Sequence, residues 1–551
     1  MTRIGFHIQD WLERHAAGLS RAAAYTASVQ VALPFFYHLA VGSAAYLGLF
    51  EDDYFYYVIV ADKFVALGTF TYDGTTQTNG FHPLWFGVLV VLRVLCGGLG
   101  PAFYVSLTLV SVAAMVATYE LSRRFARRLG ASPRSAPAIA AVYSVGNARL
   151  LTTGMESVIA VPLFLWLLVE VARPGRITPR RAARLGVIAS LAILARLDLA
   201  LAVALMIIGF VALVRPSLAM LWRVTVAFCA AGILVPLYAT ANLVFFGSPF
   251  PMSMLAKGLS TGVTFNLKYA EIVALGTVYG PTIALVLPAG LLALCLLIRR
   301  QPHTRPAAHF AAGLALVFAF AFFGLNSLTG WTFFGWYAYP LAAATVAALT
   351  CMVEWGGRRW LLMPTTTAAI AGLVALAPIL GARYAIEHGP RWSVSDNTLL
   401  AMSHDLAGRV GHRNGLFAMG AVAGVATYVL DRPVLQLEGI VGDRRLVEHI
   451  RHEDPLEDVL RESRADYLVV TLANVRSAPV DGCYVITQPN AEWAGERAAK
   501  MRGGICTEPM EHFFTPKGTN RWSRYPPLET FVWDLRSARW RSEEIDAAED
   551  E

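Results

Sequence analysis

The sequence is poor in charge, which excludes most soluble proteins. Asp, Glu, Lys and Arg make up 15% of its 551 residues, against about 25% in an average soluble domain. Hydrophobic residues make up 56%, and the mean hydropathy is +0.50. A soluble globule of this size could not bury so much apolar surface. A single soluble domain and a disordered chain are therefore excluded, and the composition predicts a polytopic, mainly α-helical membrane protein.

Three further features of the sequence narrow the class of protein. No apolar run opens the sequence, so residues 1–28 are expected to form a cytoplasmic or interfacial helix and not a cleavable signal peptide. The six cysteines show no metal-type spacing. The formal charge of +7 does not indicate nucleic acid, because most arginines stand in short clusters between apolar runs, as topology signals do.

Long apolar runs are what the sequence has in abundance, and runs of about 20 residues predict membrane-spanning helices. The run 83–96 is short and contains Arg93, so it is interpreted as a juxtamembrane or re-entrant helix that does not cross. About eleven spans are expected, at 29–50, 102–121, 135–147, 157–172, 185–197, 199–214, 222–246, 283–298, 308–325, 338–353 and 360–381.

The arginine distribution sets the orientation. In alternate loops, 17 basic residues fall on one side and 5 on the other, and the positive-inside rule places the richer side in the cytoplasm. The N-terminus is then inside and the C-terminus outside. A transmembrane domain, 29–382, carries outer loops 51–101 and 247–282, and residues 383–551 form a soluble extracytoplasmic domain.

The C-terminal tail has ordinary soluble composition. Strands expected at 415–419, 434–437 and 466–471 alternate with helices at 396–410 and 443–462, which indicates a small α/β domain with a parallel sheet. The turn 420–424 has two glycines and fits either a phosphate-binding loop or a structural strand-to-helix turn, although it lacks the three-glycine nucleotide pattern. Cys483 and Cys506 lie in this predicted oxidising environment, where they can form a disulfide.

Three acids, Glu51, Asp52 and Asp53, stand where the first span leaves the membrane, followed by four aromatic residues. Ionisable residues beside a bilayer often mark function, although solvated boundary residues are the alternative. A carboxylate here can act as a general base, and a carboxylate pair can instead bind a divalent cation through oxygen ligands.

Further polar residues lie at the outer ends of the spans. His82 begins an apolar run and can donate to a phosphate or sugar oxygen, or be satisfied by the backbone. Lys257 is a rare outer cation that can hold a phosphate leaving group. Arg149 and Glu156 interrupt apolar sequence, as do Arg196 and Asp198, which can pair structurally. These groups converge on one membrane face, whereas a transporter would place its charges near the midplane.

Together these motifs resemble the polytopic GT-C glycosyltransferases, and within them the bacterial protein-mannosyltransferases and arabinofuranosyltransferases. The element from Thr78 to Trp85 and the Thr-Gly-Met-Glu-Ser motif ending at Ser157 are similar to family motifs, as is the stretch from Phe246 to Lys257. Arg196-Leu-Asp198 lacks the proline seen in the family. Leu435-Gln-Leu-Glu438-Gly439 resembles the start of the outer domain of arabinofuranosyltransferase-like members.

The resemblance implies transfer of a sugar from a polyprenyl-phosphate donor to a cell-envelope glycan, lipid or protein, with inversion. It places the protein in the bacterial cytoplasmic membrane with its site on the periplasmic side. Asp52 would be the base, with Asp53 as the alternative base or as a group that orients hydroxyls together with Glu156. The residues expected to bind the donor sugar or phosphate are Asn79, His82, Arg149, Glu156, Arg196 and Lys257.

No metal or other cofactor is assigned, because a donor with one leaving phosphate has less need of a divalent cation than a pyrophosphate. Two other classes of protein stay open. A transporter or flippase of a lipid-linked sugar would also have many helices and an outer cavity. A scaffold with a receptor-like tail would account for the tail but not for Asp52, Asp53 and His82.

Overall fold

The structure is a computed structural model. Apart from a few isolated residues, it describes 35–133, 135–146, 153–214, 217–259, 306–327, 334–351, 393–471, 481–489, 498–518 and 525–541. The predicted span 360–381, nearly all of the predicted span 283–298, Arg149 and most of the segment 1–28 lie outside the described residues.

The described part of the predicted transmembrane domain is helical, with short 3-10 helices at Ala44–Leu49 and Gly335–Ala338. Its α-helices are α1 (Asp52–Leu67), α2 (Pro83–Cys96), α3 (Pro101–Leu129), α4 (Ser135–Gly146), α5 (Ser157–Val171), α6 (Pro179–Ala195), α7 (Leu199–Val214), α8 (Leu218–Ala231), α9 (Leu234–Phe246), α10 (Met252–Gly258), α11 (Pro306–Ser327) and α12 (Leu341–Thr350).

Two of the described helices, α3 and α11, are long and apolar enough to cross a membrane. The predicted span 222–246 is broken into α8 and α9, which meet at 54° and together would make a third span. The break has a sequence cause, because Pro236 lacks the N–H that would bond to the carbonyl of Gly232 and its ring crowds that carbonyl. The expected number of spans and their orientation stay predictions.

Helix α1 lies inside the predicted outer loop 51–101, where the sequence did not indicate a helix. Asp52 and Asp53 in its first turn complement the helix dipole, and Gly68 with φ +73° ends it. Every residue from Tyr54 to Ala61 is buried, so this stretch of α1 is enclosed on all sides. This run shows no amphipathic period, which is why hydrophobic patterning missed it.

Helix α2 follows α1 and packs against it. It begins at Pro83, a residue favoured at the first helical position, and is capped by Gly97 with φ +69°. Its 14 residues reach about 21 Å, which is less than the hydrocarbon thickness of a bilayer of about 30 Å. Other predicted spans, such as α5, are similarly short in the structure, so the interpretation of 83–96 as a helix that does not cross stays a prediction.

The tail is α/β, but its main sheet is mixed and not parallel as predicted. Strands β2, β1 and β3 are parallel, and the sequence missed β7 and β6, which add antiparallel at one edge. The elements are α13 (Thr398–Val410), β1 (Phe417–Met419), α14 (Ala423–Leu430), β2 (Val434–Gln436), α15 (Arg444–His452), α16 (Leu456–Glu462), β3 (Tyr467–Thr471), β4 (Tyr484–Gln488), β5 (Met501–Ile505), β6 (Glu511–Thr515) and β7 (Leu528–Asp534).

Strands β4 and β5 form a separate antiparallel pair. The sequence signal for β5 was weak because Gly503 and Gly504 have low strand propensity. Gly503 is required by packing, since a Cβ there would lie 2.9 Å from the ring of Trp540. Cys483 and Cys506 stand at the paired ends of these strands and form a disulfide, which confirms the pairing expected from the sequence.

Removing this disulfide should destabilise the tail. The bond joins residues 23 positions apart, and the loop-entropy relation gives roughly 3 kcal/mol for a loop of that length. We expect the double variant Cys483→Ser/Cys506→Ser to lower the free energy of unfolding of the tail by that amount, measured by urea denaturation of the full chain. Alkylation of both thiols in unreduced, unfolded wild-type protein would contradict the bond.

The tail packs directly on the helical domain. The Asn397 side chain donates to the carbonyl oxygen of Gly48 at 3.0 Å, and Arg444 donates to that of Gly247 at 2.9 Å. Tail helix α14 contacts α1, and α15 contacts α10. The tail therefore contacts the described parts of both outer loops that are predicted to carry the site.

Candidate active site

Asp52 is bound by the tail. It is 7% exposed. Its Oδ2 accepts the N–H of Gly424 at 3.2 Å, and its Oδ1 accepts that of Val425 at 2.8 Å. These amides open α14, and unpaired N–H groups at a helix N-terminus favour an anion. The turn 420–424 is therefore a structural strand-to-helix turn, and the anion at this helix N-terminus is the Asp52 carboxylate. The alternative of a phosphate-binding loop is not supported.

This contact is too close for a side chain at position 424. A Cβ on Gly424 would lie 2.2 Å from the backbone oxygen of Asp52. Burial raises the pKa of Asp52 to about 6, although hydrogen bonds from Val425, Gly424 and the Tyr56 hydroxyl lower it. Asp52 thus titrates above the ordinary range for aspartate while it holds the two domains together.

Asp53, the next residue, is partly exposed and faces a different set of groups. Burial raises its pKa to about 7, Lys257 acts to lower it, and Asp52 and Glu156 raise it further. A carboxyl that titrates near neutral pH beside a fixed cation has the properties of a general base. The contacts of the acid pair therefore favour Asp53 over Asp52 for that role.

Lys257 is held in place on α10. Its Nζ donates to the Tyr337 hydroxyl at 2.6 Å and lies 5.4 Å from the centroid of the Tyr337 ring. Burial lowers the pKa of Lys257, but Tyr337 and Asp53 outweigh it, so the pKa lies above its ordinary value. Lys257 therefore stays protonated at neutral pH and provides a fixed positive charge opposite Asp53.

Asn79 is 1% exposed and fixes the start of α10. Its Oδ1 accepts the N–H of Met252 at 2.9 Å, and its Nδ2 lies 3.4 Å from the Phe250 carbonyl oxygen. These bonds join the loop that carries His82 to the helix that carries Lys257. The predicted contact of Asn79 with the donor stays a prediction, whereas its hydrogen bonds give it a positioning role.

The His82 ring lies next to Leu197 and Glu156. Its Nδ1 accepts the N–H of Leu197 at 3.3 Å, so the proton of the neutral ring is on Nε2. Nε2 lies 3.9 Å from Glu156 Oε1. Burial lowers the pKa of His82, so the ring is neutral at pH 7. His82 is satisfied by backbone, as the simpler interpretation expected, and keeps one N–H donor.

Arg196 belongs to a buried ion network. It is 3% exposed and pairs with Glu156 and, at 2.8 Å, with Asp198. Tyr57 donates to Glu156 at 3.1 Å, and Tyr339 donates to Asp198 at 2.9 Å. The guanidinium is already paired with two carboxylates, which supports the structural interpretation of the Arg196–Asp198 pair. The predicted part of Arg196 in holding the donor phosphate stays a prediction.

Sequence reasoning missed Tyr337 and Glu438. Tyr337 carried no motif. Glu438 did have a signal, the resemblance of Leu435–Gly439 to an outer-domain start, but no role was inferred from it. The carboxyl is 5% exposed and interacts electrostatically with Asp53, Asp52 and Lys257. The tail therefore places an acid among the residues predicted from the outer loops.

The predicted site residues that are described converge at one place, where α1, the loop before α2, α10 and the tail meet; Arg149 lies outside the described residues. Within the described ranges, no group of three or more His, Cys, Asp or Glu side chains could hold a metal ion. The assignment of no metal stays a prediction.

No protein-family model matches the sequence, and no curated protein matches it. Solved structures do. The archaeal oligosaccharyltransferase AglB from Archaeoglobus fulgidus, solved with an inhibitory peptide and a dolichol-phosphate, matches with a TM-score of 0.51 at 12% identity, over 84% of this chain and 70% of AglB.

Two other solved structures match with lower scores. ArnT from Cupriavidus metallidurans has a TM-score of 0.49 at 13% identity, over 80% of this chain and 92% of its own. The arabinofuranosyltransferase AftD from Mycobacteria has 0.39 at 20% identity, over 70% of this chain and 30% of AftD.

The likeness to AglB shows the fold. The chain has the GT-C fold, which confirms the fold that the motifs predicted. Two of its described helices, or three if α8 and α9 form one span, are long and apolar enough to cross a membrane, which agrees with a multi-pass membrane protein. A shared fold does not fix the chemistry, which depends on the residues of the site.

Proposed function

We propose that the protein is a membrane glycosyltransferase. It would transfer a sugar from a polyprenyl-phosphate donor to a cell-envelope glycan, glycolipid or protein on the outer face of the bacterial cytoplasmic membrane. The observation that carries the proposal is that Asp53, whose pKa burial raises to about 7, interacts electrostatically with the Lys257 cation, which is held by Tyr337. Attack of a hydroxyl on a sugar phosphate needs a base and a fixed cation. AglB, which shares the fold, was solved with a lipid phosphate.

The reaction is one inverting displacement. Asp53 takes the proton of the acceptor hydroxyl, whose oxygen attacks the anomeric carbon of the sugar. The bond from that carbon to the phosphate oxygen breaks, and polyprenyl phosphate leaves with the bonding electrons. Lys257 stabilises the charge that develops on the phosphate, and the Nε2–H of His82 is a second donor. The base is assigned to Asp53 and not to Asp52 because both oxygens of Asp52 are bound by the tail.

A lipid-linked donor also accounts for the apolar helices beside a polar site. The polyprenyl chain is as apolar as the bilayer interior and can stay in lipid, while its phosphate and sugar enter the site next to Lys257. Glu156 is bound by Arg196 and Tyr57, so in this proposal it positions Arg196 and the His82 ring and does not orient hydroxyls directly.

Purified protein in liposomes should convert a polyprenyl-phosphate sugar to polyprenyl phosphate in the presence of an acceptor. The probes are undecaprenyl-phosphate mannose and undecaprenyl-phosphate arabinofuranose with octyl mannoside, and the products are measured by mass spectrometry. Asp53→Asn protein is the control for contaminating activity. Movement of the donor across the bilayer without transfer would contradict the proposal and support a flippase. Mass spectrometry of the envelope glycans of a deletion strain would then identify the missing sugar.

A further inference from the structure

A short tail segment, residues 436–441, lies against both outer loops that carry the site. A Cβ on Gly80 would lie 1.9 Å from the carbonyl oxygen of Ile440, and a Cβ on Gly439, where φ is +73°, would lie 3.3 Å from the Cβ of Ala256. Gly80 precedes His82 by two residues, and Ala256 precedes Lys257. The segment is therefore fitted between the His82 loop and the Lys257 helix.

Within this segment the carboxyl of Glu438 is held by one oxygen and unpaired at the other. Gln436 Nε2 donates to Glu438 Oε2 at 2.9 Å, and Gln436 Oε1 accepts the N–H of Ile440 at 3.1 Å. The amide of Gln436 is thus fixed at both ends. Glu438 Oε1 is buried and has no hydrogen-bond partner among the described residues. Leaving a buried polar atom unpaired is costly, so such an atom needs an explanation.

The groups that face Glu438 decide what its unpaired oxygen can bind. They are Asp52, Asp53 and Tyr56 of α1, and Lys257 of α10. Burial raises the pKa of Glu438 to about 8, and Asp53 and Asp52 add to the rise against the effect of Lys257. The carboxyl is mostly protonated at pH 7. Because Oε2 accepts from Gln436, the proton belongs on Oε1, which becomes a donor and weak acceptor, as a neutral buried carboxyl elsewhere can be.

We propose that Glu438 binds a sugar hydroxyl through Oε1, so that the tail domain supplies a substrate-binding group to the site formed by the helical domain. The inference rests on the proposed function and adds a specificity-determining residue to it. A hydroxyl fits better than the donor phosphate, because Asp52 and Asp53 would repel an anion at this point. The hydroxyl belongs either to the sugar of the donor or to the acceptor.

The test separates these two sources with wild type, Glu438→Ala and Glu438→Gln. Asp458→Asn, which removes an exposed carboxylate of the same domain, is the matched control. Binding of undecaprenyl phosphate and of undecaprenyl-phosphate mannose is measured in detergent, and the KM for octyl mannoside is measured in liposomes. In Glu438→Ala, either the affinity for the sugar-loaded lipid should fall about tenfold or the KM for octyl mannoside should rise about tenfold. The affinity for bare undecaprenyl phosphate should not change.

Glu438→Gln should stay within about threefold of wild type, because its amide can still accept from or donate to the same partners. The wild type should also lose affinity above about pH 8, where Glu438 ionises, whereas Glu438→Gln should not. This pH comparison keeps the inference testable if Glu438→Ala fails to fold, since an identical alkaline loss in Glu438→Gln would overturn it.

Two other outcomes are decisive. Equal binding and KM in Glu438→Ala and wild type, or a matching loss for bare undecaprenyl phosphate, would overturn the role of Glu438 while wild-type transfer still supported the proposed function. If the wild type transferred no sugar from either donor, the proposed function would fail and the inference with it.

Discussion

Asp53→Asn should lower glycosyl transfer at least about a hundredfold, because general-base catalysis typically supplies 10²- to 10⁴-fold in rate. The amide keeps the size of the side chain but cannot take the proton of the acceptor hydroxyl. Folding and binding of undecaprenyl-phosphate mannose should change little, since Asp53 is partly exposed. The measurement is kcat in the liposome assay, together with thermal unfolding of each variant.

Asp52→Asn is the matched control, since it is the same substitution one residue earlier. Its amide can accept only one of the two backbone N–H groups now bound by Asp52, so docking of the tail should weaken by about 1–3 kcal/mol. We expect lower thermal stability and a smaller loss of kcat than in Asp53→Asn. The opposite ranking would return the base to Asp52, as the sequence resemblance first implied. Near-normal kcat in both variants would leave no carboxylate base in the pair.

The pH dependence of kcat/KM is a second test of whether Asp53 or Asp52 is the base. A base acts only when it is deprotonated, so kcat/KM should rise as the pH passes through about 7, the pKa of Asp53. Asp52, with a pKa of about 6, would place this rise about one unit lower. An acid limb that is kept in Asp52→Asn and lost in Asp53→Asn would assign the base to Asp53.

The sequence was sufficient to find most of the outer-loop side of the site. Charged residues are rare in this chain, so Asp53, His82, Glu156 and Lys257 stand out where apolar runs end. Their motif context also predicted the fold. Such residues can be detected from the sequence because each one interrupts a hydrophobic pattern that the bilayer imposes.

The tail side of the site could not be found in this way. The contact of Asp52 with Gly424 joins residues 372 positions apart, and nothing in the sequence around either residue indicates that the two are in contact. Glu438 lies in a segment of ordinary soluble composition, where an acidic residue is not unusual. Only its burial in the structure distinguishes it from a surface acid. Helix α1 was missed for the opposite reason, since its stretch from Tyr54 to Ala61 is buried on all sides and has no periodic face to detect.

Lys257→Ala should lower kcat by about 10²- to 10³-fold, the usual loss when one preorganised group that stabilises developing charge is removed. Donor affinity should fall less, because the phosphate gains charge as the bond to the sugar breaks and Lys257 interacts most strongly with that state. Tyr337 holds the ammonium in place through a hydrogen bond, so the charge is already oriented before the reaction. The measurement is kcat beside the dissociation constant of undecaprenyl-phosphate mannose.

Two variants make this result specific to the position of the charge. Lys257→Arg restores a cation at the same place and should recover part of kcat, though its planar group cannot reproduce the short bond to Tyr337. Lys63→Ala removes a cation of α1 that faces Asp73 and Asp62 instead of Asp53, and it should leave kcat within about threefold, as expected for a partly exposed charge pair. Wild-type turnover in Lys257→Ala would show that Lys257 only anchors α10, and that the Nε2–H of His82 or an arginine such as Arg196 holds the leaving phosphate. In that case the loss should appear in His82→Ala or in Arg196→Ala, because a phosphate leaving into a buried site without any donor would face an uncompensated charge.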